Sequence, residues 1–516
     1  GTDTGRTVWC VQLGAGQDLD TRPAMLVVAG MEGNQLFGTE MALAFIDDVV
    51  EAYGKDEAIT ELLDTTTIYC FPRVNVDGAE AYFAGVRQEQ PANGQQNDAD
   101  HDGFQDEDGP DDLDGDGLIT WMRVEDPEGP YRKAGEDGRL MVKAKLEEGE
   151  TGGWRVYTEG RDDDQDDAYN EDGPGGVNFN RNFPFDYPYF APDAGVHAVS
   201  TPETRALADF IVAHPNIGIV FTYGAGDNLL DAPEAGDPPG GRRAVTKITT
   251  KDLPYYKALG ETYREALGIE KGLSARTAAG SFSSWMYFHR GRLSLATPGW
   301  TPELQVAIAK VAAEQAEEAA EESAEEEDAD EAAEEDEDEE EQEDKDLKPE
   351  KEFLAWIDEN HPGAFVSWTA FDHPDFPGQA CEIGGFAPFA KLLPPAEAIA
   401  EFAEKNSAFL TEVAGKLPRV VIASATATHL GGGVFDLEII LQNQGQLPTA
   451  LEHGVRTGEV FPTRVELACA DGAILAGRRV TQSPTLAPNG GATTLRYTIL
   501  KPESQDRLKI KVISAF

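Results

Sequence analysis

Aspartates at alternating positions give this chain its clearest chemistry. Asp98, Asp100, Asp102, Asp106 and Asp108 run into Gly109-Pro110, with Gly103 after the first three. The pattern returns as Asp162, Asp164, Asp166, Asn170 and Asp172 before Gly173-Pro174, an offset of 162 − 98 = 64 residues. Between the copies lies a shorter run, Asp112, Asp114 and Asp116 before Gly117. Carboxylates at the first, third and fifth positions, with a glycine that lets the chain turn, are how a loop wraps oxygens round calcium. None of the runs has the closing glutamate of an EF-hand, so they are expected to share ions or lend one another ligands. The second copy has Asp167 where the first has Gly103, which weakens it. A merely solvated acidic loop is the alternative, but this many close carboxylates repel one another unless a cation intervenes. Downstream, Asn180-Arg181 joins an arginine fork to an amide donor, a combination that suits a carboxylate.

The elements that must hold these residues alternate between strand and helix. Apolar spacing marks helices at 39–53, 201–213, 281–290 and 395–416, the second with Thr201 as cap and Pro202 at its first position. Apolar runs at 66–74 and 217–222 read as buried strands. The pattern predicts an α/β fold with a mixed, largely parallel central sheet flanked by helices. Beyond 417, short β-rich runs at 419–428, 435–442, 463–469, 493–500 and 508–514 are separated by Gly, Pro and Asn turns. They predict a C-terminal all-β sandwich with no catalytic constellation of its own.

The expected boundaries follow: 1–312 for the α/β domain with an Asp-rich insert at 97–175, 348–416 for its remainder, and 417–516 for the sandwich. Between them, 313–347 is almost pure Glu, Asp and Ala, and is expected to be a disordered or frayed insert because massed like charge opposes a helix. It is an inert tether or, given its position, a pseudo-substrate.

With 95 acidic against 42 basic residues the formal charge is −53. That argues against nucleic acid and anionic membranes as partners, and suits a calcium-rich or saline exterior, either periplasmic or secreted. No run approaches the roughly 20 apolar residues of a membrane span, so no membrane insertion is expected. Cys10, Cys70, Cys381 and Cys469 form no metal-type cluster; Cys10 and Cys70 fall in predicted core strands and are expected to be buried thiols rather than a bridge, which leaves the redox compartment open.

Several motifs resemble the zinc-dependent carboxypeptidases of the carboxypeptidase A type. Gly176 to Phe183 is similar to that family's Gly-Val-Asp-x-Asn-Arg-Asn-Phe signature, Phe71 to Gly78 to its Pro-x-x-Asn-Pro-Asp-Gly turn, and 5–9 and 24–29 to its first two core strands. Bacterial members carry similar Asp-rich inserts. The resemblance implies that Asn180 and Arg181 grip a peptide C-terminus and that Arg123 faces the oxyanion, leaving a cationic pocket for a small carboxylate. Pairing with the acidic loops is the plainer reading of Arg123. The helix that usually precedes the first strand is absent, so upstream sequence is expected to have been removed.

The departures fall on the chemistry. Where the family has Gly-x-His-Gly-x-Glu this chain has Gly30-Met31-Glu32-Gly33-Asn34-Gln35. Its third ligand position is Gly224, after Phe221-Thr222-Tyr223, and its general-base position, two before Trp300, is Pro298. Ser284 replaces the Asp of an Asp-Trp motif, and Arg276 aligns with a mobile-loop Tyr. A catalytic zinc needs three protein ligands and an open position; one carboxylate remains, so zinc is not expected. The eight histidines are dispersed, and His373, in Phe371-Asp372-His373-Pro374, is read as bonding a loop carbonyl rather than a metal. The expectation is a catalytically inactive, calcium-stabilised pseudo-peptidase. Its rivals are an active zinc carboxypeptidase, with the metal held by Glu32 and unrecognised ligands, and a purely structural or surface module.

Overall fold

The computed structural model describes the chain except for residues 1, 3, 97, 99–102, 136–137, 166–168, 171–172, 174, 238–244, 270–271, 325–346, 471, 502–506 and 515–516, and except for the side chains of 148 and 317–324. The central sheet has five strands in the order Val11–Leu13, Thr67–Phe71, Ala24–Val28, Ile217–Tyr223 and Leu293–Thr297. All neighbours run parallel except the first pair. A strand buried on both faces reads as a continuous apolar run, and Ala24–Val28 shows why. Its side chains alternate, Met25 and Val27 entering one core and Ala24, Leu26 and Val28 the other. The first core strand expected at 5–9 lies instead at Val11–Leu13, where Val11 faces Cys70; Cys10, just before this edge strand, is exposed rather than buried, while Cys70 is buried as expected.

Helices cover both faces, as expected. Pro202–Ala213 opens with Thr201 accepting from the Thr204 amide, its proline in the first turn where no intrahelical donor is needed. Leu36–Ala52 packs on Ala396–Gly415 through an edge-to-face contact of Phe37 and Phe402 with centroids 5.7 Å apart. The 313–347 expectation needs correction at its start. One helix, Pro302–Ala324, carries on into the Glu/Ala stretch, because Ala and Glu are strong helix formers. The rest of that segment to 346 lies outside the described residues, and Lys348–Asn360 follows as a helix.

A second sheet was not expected. It has six antiparallel strands in the order Phe365–Phe371, Cys381–Phe386, Trp121–Glu125, Trp154–Thr158, Tyr131–Ala134 and Leu140–Lys143, over a small core of Met122, Val124, Cys381 and Ile383. The acidic loops lead into and out of its middle strands. The C-terminal region is the expected sandwich. A four-stranded sheet (Val420–Gly431, Val434–Asn443, Ala492–Leu500, Ile474–Ala476) faces a three-stranded one (Val480–Gln482, Arg464–Ala468, Lys509–Ile513). Leu437, Ile439 and Leu441 from the first meet Val465 and Leu467 from the second.

The two halves are joined by a buried carboxylate. Asp252 accepts from the amides of Glu452 (2.8 Å) and His453 (3.1 Å) and from the Tyr287 hydroxyl (2.9 Å), and the His453 ring stacks on Tyr287. Among the described residues no helix is long and apolar enough to cross a membrane.

Candidate functional site

Glu32 sits in the turn after Ala24–Val28, and Gly224 follows Ile217–Tyr223, the next strand of the sheet. Parallel neighbours end on the same side, so these turns meet. Into the same place comes the Phe179–Arg181 turn, capped by Asn178 accepting from the Asn180 amide. Asn180 Nδ2 donates to Glu32 Oε1 at 2.7 Å, and the Ala225 amide reaches the same oxygen at 3.4 Å. A Cβ on Gly224 would lie 3.0 Å from Glu32 Oε2 and 3.4 Å from Asn180 Nδ2. The structure therefore brings Glu32, Gly224 and Asn180 together.

The Glu32 carboxyl is 4% exposed, and Oε2 has no hydrogen-bond partner among the described residues. Burial raises it above the ordinary carboxylate range, outweighing the donors from Asn180 and Ala225. Its folded-state value thus exceeds the unfolded one of about 4.3. The stability it allows is whole below that pH and is lost as pH rises through the folded-state value. Glu32→Gln, which fixes the neutral shape, should match the wild type in melting temperature near pH 4 and exceed it by a margin that widens towards pH 8. Equal melting curves at every pH would show that Glu32 is not held neutral.

The other clamp residues are dispersed. Asn180 Oδ1 accepts from the Phe282 amide at 3.0 Å, so both ends of its amide are in use. Arg181 Nε lies 3.1 Å from Asp193 Oδ1 but is poorly aimed for a hydrogen bond, and its side chain is 39% exposed. No described contact links Arg123 to them. It lies in the six-stranded sheet, where Glu382, its cross-strand partner, takes Nε at 2.5 Å, Gly138 O takes Nη1 at 2.8 Å, and Trp368 lies 4.1 Å under the guanidinium. A carboxylate on the neighbouring strand thus already pairs with the arginine expected to share a cationic pocket with Asn180 and Arg181.

Asn182 accounts for much of the motif. Its amide nitrogen donates to Ala194 O, His197 O and Ser200 Oγ, and its oxygen accepts from the Ser200 amide and Thr204 Oγ1. Arg276 pairs with Glu303, and Ser284 donates its amide to the capping Ser281. Buried His373 turns Nε2 to Gly160 O at 3.0 Å, the carbonyl contact expected of it.

Of the acidic runs, Asp112, Asp114 and Asp116 converge, with ligand oxygens within 4.8 Å of one another. Left-handed Gly115 and Gly117 let the loop close on itself. Amides of Gly115 and Gly117 donate to Asp112, that of Asp116 to Asp114, and that of Leu118 to Asp116. Burial, then repulsion by Asp114 and Asp112, hold Asp116 above the usual carboxylate range. Glu159, absent from the sequence reading, carries this loop. Fully buried, it accepts from the amides of Leu113, Asp114 and Thr120 and from Thr120 Oγ1. One more acidic residue among so many gave no sign of this role.

The duplicated loops touch through Asp108, which accepts from the amides of Asp163 (3.1 Å) and Asn170 (2.6 Å). Asp106 and Asn170, 64 apart, adopt the same left-handed turn, φ 58° and 59°. Asp162 caps its own loop by accepting from the Gln165 amide. Asp98, Asp106, Asp162 and Asp164 join no such cluster among the described residues, and Asp100, Asp102, Asp166 and Asp172 lie outside them.

A family model described as zinc carboxypeptidase matches residues 2–112 and 137–323, more than half of the chain. The chain belongs to the zinc carboxypeptidase family. Residues 419–515 match a family described as a domain of unknown function (DUF8731). Over 80 residues the chain is 39% identical to carboxypeptidase M of Mus musculus, covering 15% of this chain and 18% of that protein. Over 85 residues it is 33% identical to carboxypeptidase D of Drosophila melanogaster, covering 16% and 6%. The matches thus span less than a fifth of these relatives' length. Among solved structures, thrombin activatable fibrinolysis inhibitor is similar over 57% of this chain and 58% of that one, at 14% identity and TM-score 0.33. Carboxypeptidase A from Helicoverpa armigera is similar over 57% and 56%, at 13% identity and TM-score 0.32.

The residues of this zinc carboxypeptidase family member do not fit the family's zinc. Gly224 offers no donor atom and Pro298 no base, and Gln35 is a neutral amide. The remaining candidate, Glu32, already holds Asn180 with one oxygen and is buried in surroundings that favour its neutral form. A ligand set needs deprotonated donors arranged about an open position.

Proposed function

We propose that this chain is a non-catalytic carboxypeptidase-fold protein whose former reaction centre has become part of the core and whose Asp112–Asp116 loop holds calcium. The observation that carries the reading is the buried hydrogen bond between Glu32 and Asn180 beside Gly224. A residue at a metal-ligand position and a residue at a substrate-clamp position bind one another, Asn180 with its amide nitrogen and Glu32 with one of its two oxygens, which draws both away from the ancestral task. Of the expected clamp, Arg181 keeps a partly exposed, loosely held partner in Asp193. A peptide C-terminus or small carboxylate taken up here would therefore meet Arg181 rather than Asn180. The acid-rich surface and the calcium loop suit a calcium-replete, extracytoplasmic setting.

Three measurements on the purified chain test this. Elemental analysis after dialysis against zinc should find far less than one zinc per chain, and C-terminally free peptides should stay intact. Near-stoichiometric zinc with release of C-terminal residues would establish the rival peptidase. Chelation should lower the melting temperature by several degrees, and Asp114→Asn should abolish that response. A melt indifferent to calcium would remove the metal from the proposal. Calorimetric titration with short peptides and their C-terminal amides tests Arg181; equal binding of acids and amides would leave a purely structural module.

A further inference from the structure

The strand Val420–Gly431 forms one edge of the sandwich's four-stranded sheet and, among the described residues, pairs only with Val434–Asn443. Register places Ile422, Ala425 and Ala427 beside Leu441, Ile439 and Leu437, on the side that faces the core. Yet Ile422 to Gly431 are all exposed, Ile422 by 39% and Leu430 by 61%. The opposing sheet has three strands and does not reach over them. The free side of this strand is therefore an uncovered ladder edge with an uncovered face.

Sheet edges of this length are ordinarily defended by charge, proline or a covering segment. Val420-Val421-Ile422-Ala423-Ser424-Ala425-Thr426-Ala427-Thr428-His429-Leu430-Gly431 contains no Asp, Glu, Lys, Arg or Pro, in a chain of formal charge −53. Irregularities at Ile422/Ser424 and His429/Gly431 bracket a regular run, Ser424–His429. No described hydrogen bond occupies the outer edge of that run.

We propose that this edge pairs with the same edge of a second copy, antiparallel about Thr426, joining two four-stranded sheets into one of eight. Directly opposed residues in an antiparallel pair point to the same face. A two-fold axis at Thr426 sets Ala425 against Ala427 on the inward face and Ser424 against Thr428 on the outward face. All are small and uncharged, so two strongly anionic copies can approach there without facing carboxylates. A foreign strand fits the ladder equally well, but the palindromic order of small residues about Thr426 favours self-pairing. One strand pair buries less than the roughly 1,000 Å² of a firm interface. The dimer is accordingly weak, with a dissociation constant on the order of 10–100 µM.

Sedimentation velocity over a concentration series that crosses this range tests the pairing. The wild type should shift from monomer to dimer as concentration rises. Thr426→Lys places two ammonium groups across the axis and should weaken association by about tenfold or more. Because Thr426 is outward and exposed, its melting temperature should not move. In a Cys10→Ser background, which removes an exposed thiol, Thr426→Cys should give a symmetric disulfide dimer under a mild oxidant. A chain that stays monomeric throughout overturns the proposal, as does a dimer unaffected by Thr426→Lys and not crosslinked through position 426.

Discussion

Installing Glu32→His, Gln35→Glu, Gly224→His and Pro298→Glu together should raise zinc content from the far-below-stoichiometric level expected of the wild type to close to one ion per molecule. The prediction follows from how the site is filled. A Cβ at Gly224 would lie 3.0 Å from Glu32 Oε2, so the carboxyl must give way to admit a side chain as large as an imidazole there. Gly224→His alone should therefore destabilise the fold, and adding Glu32→His should relieve it. Gly224 has no left-handed φ to forbid a side chain. With two imidazoles and a carboxylate converging, zinc has three ligands and room for water. Metal content after dialysis reads the result; a folded quadruple variant without zinc would show that these positions are not the lost site. Turnover should lag far behind zinc uptake, since Arg123 remains bound to Glu382 and cannot serve a developing oxyanion.

Glu159→Ala should be the most damaging single substitution in the acidic region, costing about 3–5 kcal/mol. It strands the buried amide and hydroxyl of Thr120 together with the less buried amides of Leu113 and Asp114. Glu159→Gln should cost less, since one oxygen still accepts. Because Glu159 holds both ends of the Asp112–Asp116 loop, its loss and calcium removal act on one element. Their effects should then be strongly non-additive, with chelation lowering the melt of Glu159→Ala hardly at all. A full chelation response in that variant would show that the loop closes on calcium without Glu159.

The sequence revealed what repeats or caps. Strands buried on both faces gave unbroken apolar runs, and Thr201-Pro202 announced a helix start that the structure contains. The alternating runs beyond 417 marked the sandwich strands to within a few residues. The six-stranded sheet was hidden because its strands at Tyr131–Ala134, Leu140–Lys143 and Trp154–Thr158 are short and only half-buried, set among glycines and acids. Site chemistry was legible as substitutions but not as partnerships. Glu32 and Asn180 are 148 residues apart, and only the fold shows that one has captured the other. The partner of Arg123, Glu382, was hidden for the same reason, since it lies 259 residues away.

The junction at Asp252 has a bearing on how this chain can be cut. Its carboxylate is sealed by two amides from the Glu452–Thr457 segment, and Gly291 lies so close to Gly454 that a Cβ there would come within 2.4 Å of its Cα. Trimming the polypeptide after Gly415 would take both amide donors from Asp252 and strip the His453 ring from Tyr287. The peptidase-like half should thus unfold together with its C-terminal neighbour, in one calorimetric transition.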